Sequence, residues 1–266
     1  MSGMNWFAAC KYKWYSFHLE YRRLVSWWNN RILHKPQYHI GLRYGEIPRD
    51  VVLVETPHQV RQIAECLGNY RVMKDHREYL SIRVQAGETS LLVISSGIGT
   101  PPIAIGLEEL SQIGGKRFLY LGSFQPLQKG LKDGQLLIAK GAVKEDGTSQ
   151  EYLPRIIPAV ADIHLLNAAR RALTGSNLPY QVGISATIDI DPSHFPADTP
   201  MRSQNERRFQ QLKEGNVVAL ERAAAGVYAV AAKIQKPAVC ILQEGEAGLD
   251  LPEKLIRVIP QMFQEY

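Results

Sequence analysis

Cysteine is scarce in this chain. Its 266 residues include three, Cys10, Cys66 and Cys240. They are far apart, odd in number and match no metal-binding spacing, so neither a disulfide framework nor a zinc module is expected, and a reduced, cytoplasmic setting is. There is no run of about 18 apolar residues of the kind that crosses a bilayer. The first residues lack a clean apolar core and a small-residue cleavage site, so no secretory leader is expected there, and no internal repeat or low-complexity tract is seen. Tryptophan is missing after position 28: all four, Trp6, Trp14, Trp27 and Trp28, lie in the N-terminal extension. Net charge is missing from most of the chain as well. Residues 1–35 carry Lys11, Lys13, Arg22, Arg23, Arg31 and Lys35 against Glu20 alone, a net +5 that equals the charge of the whole protein, so the remainder holds 25 basic and 25 acidic residues. The isoelectric point near 9.0 therefore reports on the extension, and no nucleic-acid surface is expected on the main domain. No cofactor or metal is expected.

The extension has a pattern of its own. Trp6, Cys10, Trp14, Phe17, Tyr21, Leu24, Trp28 and Ile32 recur at steps of three or four, which places them on one face of an amphipathic helix that must end before Pro36. The organisation expected is an aromatic and basic helical extension over 1–36 and a main domain over 37–266. Three destinations suit such a helix: its own domain or a sister subunit, a lipid interface met peripherally through residues 1–35, or another partner.

In the main domain, apolar runs alternate with helical periodicity. Val51–Val54, Tyr79–Val84, Leu91–Ser95, Phe118–Leu121, Leu136–Val143, Val182–Ile188, Asn216–Leu220 and Pro237–Leu242 read as strands. Helices are expected around Val60–Leu67, from Pro101-Pro102 to Ile113, and over Ala161–Leu173, Arg202–Lys213, Glu221–Ile234 and Leu251–Phe263. This alternation predicts an α/β domain with a sheet between helix layers. The long, proline-rich stretch 189–201 is a candidate lid.

Five segments then appear in order. They are Tyr38-His39-Ile40-Gly41-Leu42, Asp75-His76-Arg77-Glu78-Tyr79, the Ser96-Gly97-Ile98-Gly99 turn, Glu108-Glu109-Leu110, and Leu220-Glu221-Arg222-Ala223-Ala224-Ala225-Gly226-Val227-Tyr228. Each alone is a weak signal, since a Gly-x-Gly after a strand is most often only a tight turn. Together they resemble the nucleoside phosphorylase superfamily, uridine phosphorylase most of all. The resemblance implies a three-layer α/β/α fold with a central mixed sheet. It also implies a homo-oligomer (dimer or hexamer) with sites completed by a neighbouring subunit, and phosphorolysis of a nucleoside to a base and ribose 1-phosphate.

That reaction needs cationic donors for phosphate and a carboxylate for the ribose hydroxyls. At the family's Gly-Asp-Pro-x-Arg segment this chain reads Glu55-Thr56-Pro57-His58-Gln59, so a glycine has become Glu55 and an arginine Gln59. A second family arginine is Tyr120, and the ribose-binding glutamate is Ala223, preceded by Arg222. The residues carried over as ligand-binding candidates are His39, Glu55, Arg77, Gly99, Ser123, Glu221 and Arg222. Gln204, Arg207 and Arg202 stand near the family's pyrimidine-reading loop. No catalytic residue is assigned. Lost guanidinium contacts at about 1.5–3 kcal/mol each, and a carboxylate repelling an anion, argue against tight phosphate binding.

Two functions stay open. One is a diverged uridine-phosphorylase-like protein that binds a nucleoside or nucleobase ligand, or serves as a scaffold, without efficient phosphorolysis. The other is an active nucleoside-cleaving enzyme of altered substrate, either a pentosyltransferase or a phosphate-independent N-ribosyl hydrolase.

Overall fold

The structure is a computed structural model that describes residues 20–29, 34–128, 135–190 and 200–266. The expected helical face at Trp6, Cys10, Trp14, Phe17 and Ile32 lies outside the described residues, as does the lid stretch from 191 to 199. Residues 20–29 are helical. Among the described residues no helix is long and apolar enough to cross a membrane.

Ten strands form one mixed sheet: β1 (Asp50–Val54), β2 (Tyr70–His76), β3 (Tyr79–Ala86), β4 (Thr89–Ser95), β5 (Arg117–Pro126), β6 (Leu136–Glu145), β7 (Ala159–Val160), β8 (Tyr180–Ile188), β9 (Ala219–Glu221) and β10 (Ala238–Glu244). Among the described residues seven helices flank it: α1 (Pro57–Leu67), α2 (Thr100–Ile113), α3 (Gly147–Tyr152), α4 (Ile163–Gly175), α5 (Arg202–Glu214), α6 (Ala224–Ile234) and α7 (Glu253–Gln264). Strand β1 lies between β4 and β5 and is parallel to both. β5 also pairs with β10 and β9, and the run β5–β9–β8–β6–β10 returns to β5, so half of the sheet closes on itself.

The layers follow from the two-residue period of the strands. Val51 and Leu53 of β1, with Phe118 and Tyr120 of β5, pack into one core with α2 and α6. Val52 and Val54, with Leu119 and Leu121, pack into a second core with α1, α4 and α7. Both faces of the central strands are thus covered, which explains their unbroken apolar runs. On the first side Gly226 is required by close approach: a Cβ there would fall 2.5 Å from Cγ2 of Thr100, so glycine lets α6 seat against the start of α2.

Three local features depart from the sequence reading. β2 was not expected because its side chains are mostly polar and exposed; pairing with β3 holds it at the sheet edge. α3 is a short helix nucleated by Asp146, whose carboxylate accepts from the Ser149 N–H at 2.8 Å. The helix expected from Glu221 begins instead at Ala224, because the Glu221 side chain turns back onto the helix N-terminus.

Candidate functional site

In parallel sheets the carboxyl ends of the strands are where ligands collect. Here β1, β4, β5 and β10 end side by side, with Val54 opposite both Ser95 and Leu121, and Gln243 opposite Ser123. The segments leaving these ends are Glu55-Thr56, the Ser96–Gly99 turn, Ser123 and its successors, and the 245–250 loop.

Glu55 is the centre of this end of the sheet and is almost fully buried. Its Oε1 accepts from the Ser123 N–H at 3.2 Å and from the Ser123 hydroxyl at 2.9 Å. Its Oε2 accepts from the Gly248 N–H at 2.8 Å. Gly248 has φ of +82°, and a Cβ on it would come within 2.8 Å of Thr56 Cγ2, so the loop can approach only because this residue is glycine. Burial pushes the Glu55 carboxyl up. The bonds from Gly248 and Ser123 and the positive charge of Arg222 pull it down, and burial prevails.

Gln59 has a structural post. Its Oε1 accepts from the backbone N–H groups of Glu55 at 3.1 Å and Thr56 at 3.2 Å, closing a capping box with the Thr56 side chain. Its Nε2 donates to the Leu249 carbonyl at 2.8 Å. Gln62 repeats the device one turn later: it donates to the Leu251 carbonyl at 3.0 Å and accepts from the Leu251 N–H at 2.9 Å. The first turns of α1 therefore pin the loop that delivers Gly248 to Glu55. Tyr120 is a core residue, 1% exposed, with its ring so close over Gly122 that a Cβ there would lie 2.4 Å from Cε1.

A second carboxylate, Glu221, lies at the β9–α6 junction. Its Oε2 accepts from the N–H groups of Ala223 at 2.6 Å and Ala224 at 2.7 Å, and its Oε1 from the hydroxyls of Ser185, at 3.1 Å, and Thr187. Thr187 Oγ1 in turn accepts from the Ala225 N–H at 2.7 Å. Three donors of the α6 N-terminus are thus satisfied internally. Burial again raises the carboxyl, against these bonds. Ala223 is buried and contributes only a methyl group.

A cleft of about 200 Å³ is lined by Ser123, Gln125, Ile188, Glu221, Arg222 and Glu246, among others, and Glu55 stands behind it, bonded to Ser123. The fold therefore brings together Glu55, Ser123, Glu221 and Arg222. Gly99, with φ of +93°, caps α2 at the same end of the sheet. His39 and Arg77 form a separate cluster. His39 Nδ1 lies 2.7 Å from Glu109 Oε1, and the N–H groups of His39 and Ile40 donate to the same carboxylate. Arg77, in the β2–β3 turn with φ of +58°, stacks on the Tyr38 ring at 5.0 Å. Neither residue lines the cleft. Arg202, Gln204 and Arg207 are exposed on α5, and Arg202 pairs with Glu206 at 2.8 Å. Among the described residues no three His, Cys, Asp or Glu side chains converge as a metal site.

Sequence reasoning missed Gly248, Gln125, Ser185 and Thr187. The Gly245-Glu246-Ala247-Gly248 spacing just after a strand is a signal that could have pointed to the loop and was not read.

Comparison with known proteins agrees with this architecture. The family model described as "Phosphorylase superfamily" matches residues 49–244. The uridine phosphorylase of Thermococcus kodakarensis is 37% identical over 153 residues, 58% of this chain and 55% of that protein, so the match spans little more than half of its length. The uridine phosphorylase of Treponema pallidum is 30% identical over 193 residues, 72% of this chain and 75% of that protein. The guanosine phosphorylase of Halorubrum lacusprofundi is 28% identical over 229 residues, 82% and 91% of the two chains. The crystal structure of purine nucleoside phosphorylase from Toxoplasma gondii in complex with immucillin-H superposes with a TM-score of 0.75 at 24% identity, covering 86% of this chain and 95% of that one. With a family model covering the whole sheet from β1 to β10, this chain belongs to the phosphorylase superfamily.

Proposed function

We propose that this member binds a nucleoside or nucleobase ligand in the cleft beside Ser123, Glu221 and Arg222, and does so without efficient phosphorolysis. One observation carries the reading. The donors that converge at the end of β1 and β5, the Ser123 N–H and hydroxyl and the Gly248 N–H, are already taken by the Glu55 carboxylate. An incoming phosphate would have to displace an internal anion or sit against it, and both are costly. At the positions of the family's two arginines, Gln59 is spent on a helix cap and Tyr120 on the core, and the cation that lines the cleft is Arg222. Likewise Glu221 spends its oxygens on α6 and β8, so this carboxylate is not offered to the ribose hydroxyls; the other acid in the cleft lining is Glu246.

A second reading rests on the chemistry of Glu55 itself. A carboxylate with its pKa raised by burial is a competent general base. In a hydrolase, Glu55 would first release Ser123 or Gly248; water oxygen would then attack the anomeric carbon, Glu55 would take the water proton, and the C–N bond electrons would leave with the base. The purified protein, incubated with a panel of purine and pyrimidine nucleosides with and without inorganic phosphate, separates the cases. The binding reading expects no base release but a ligand-induced rise in melting temperature. Phosphate-independent release would assign the hydrolase, and phosphate-dependent release would overturn both.

The same reading extends to homo-oligomerisation. Ile156 (92% exposed), Ile157, Val160, Ile163 and Ile184 leave an apolar face around β7 and β8 that a further copy would cover.

A further inference from the structure

We propose that the N-terminal helix, together with the basic residues that neighbour the end of α2 to which it is tied, binds the surface of an anionic phospholipid bilayer. Residues 20–29 are helical, yet Tyr21, Leu24, Val25, Trp27 and Trp28 are between 39% and 61% exposed. None of the five belongs to any of the buried cores of the domain. The helix is held by polar contacts: the Ser26 hydroxyl donates to Gln112 Oε1 at 2.9 Å, and the Lys35 N–H donates to the Asn29 carbonyl at 3.0 Å. A tethered helix that keeps two tryptophans in water is awaiting an apolar surface.

Charge identifies the surface. Arg22 and Arg23 stand on this helix among the aromatics. The end of α2 at Gln112 adds more. The Gly45 N–H bonds the Ile113 carbonyl at 3.2 Å and brings Arg43, and the Lys116 N–H bonds the Arg49 carbonyl at 2.7 Å. Lys236 precedes β10 next to the start of β5, since the Phe118 N–H bonds the Pro237 carbonyl at 3.0 Å. Burial and then the neighbouring Lys116 lower its pKa. Of the acids nearby, Asp50 is paired with Arg117 at 2.6 Å, Glu46 offsets Arg43 at 3.7 Å, and Glu20 on the helix stands against both Arg22 and Arg23, which leaves the helix and Lys116 with Lys236 net positive. Basic side chains attract acidic headgroups, and Trp and Tyr settle at the depth where headgroups meet acyl chains. The preceding 19 residues continue the composition, with Trp6, Trp14, Lys11 and Lys13.

The test is flotation of the full chain with vesicles of phosphatidylcholine containing phosphatidylglycerol, and with vesicles of phosphatidylcholine alone. Binding is expected to the anionic vesicles and to weaken with added salt. Arg22→Glu with Arg23→Glu should reduce binding by about tenfold or more, and Trp27→Ser with Trp28→Ser by about tenfold. All four residues are exposed, so melting temperatures should be unchanged. The proposal falls if the wild type does not float with anionic vesicles, or if both double variants bind as the wild type does. It also falls if Trp27→Ser with Trp28→Ser breaks a lipid-free assembly seen by sedimentation, which would give the helix to a second copy.

Discussion

Glu55 and Glu221 invite comparison. Both are buried acids just past or at the end of short strands, both have carboxyls lifted by burial, and both are held by backbone N–H groups and hydroxyls. They differ in the origin of the donors. Those of Glu221 come from its own helix and from β8, rigid elements that have no other use for an acceptor. Those of Glu55 come from Ser123 and from the glycine-bearing 245–250 loop, at the border of the cleft. Glu221 is a brace. Glu55 is a side chain in a seat that another anion could take. Burial and hydrogen bonding alone do not distinguish the two; what the donors would do once the acid is removed does.

Four experiments sharpen the contrast. Glu221→Ala should be the most damaging, since it strands two N–H groups and two hydroxyls in the interior; a loss of about 3–5 kcal/mol is expected in chemical denaturation. Added phosphate should restore none of it. Glu55→Gly should cost less, about 1–3 kcal/mol, and phosphate or sulfate should recover part of the loss. In melting scans the anion-dependent rise should be present in this variant and absent from wild type. The third is pH. Because the Glu55 carboxyl titrates above the ordinary 4.5, protonation as pH falls removes the resident charge. Sulfate affinity of the wild type should therefore increase on acidification, and Glu55→Gln should flatten the trend. The smallest effect on folding is expected for Ile157→Asp on the exposed apolar face: unchanged melting, but a lower mass by light scattering.

The layers of this fold were legible because the central strands bury both faces. Runs such as Val51–Val54 and Leu91–Ile94 have no polar interruption, and the start of α2 was marked by Pro101-Pro102. β2 escaped because an edge strand with exposed Arg71, Lys74 and Asp75 has no apolar alternation to read. At the site, the four altered positions were visible as residue types, but their roles were not. Gln59 reads as a missing cation until its bonds to Glu55, Thr56 and Leu249 are seen. The partnership of Glu55 with Gly248 joins positions 193 residues apart, and no local spacing encodes it. His39 and Arg77 were named by resemblance alone, which implies sites completed by a neighbouring subunit; within one chain they contact Glu109 and Tyr38, away from that chain's own cleft.

Calorimetric titration of inorganic phosphate at neutral pH into the wild type and into Glu55→Gly addresses the seat itself. With the carboxylate in place no binding should register at millimolar phosphate, and its removal should create a saturable site. Saturable phosphate binding by the wild type, equal to that of Glu55→Gly, would contradict the assignment of Glu55 as the resident anion.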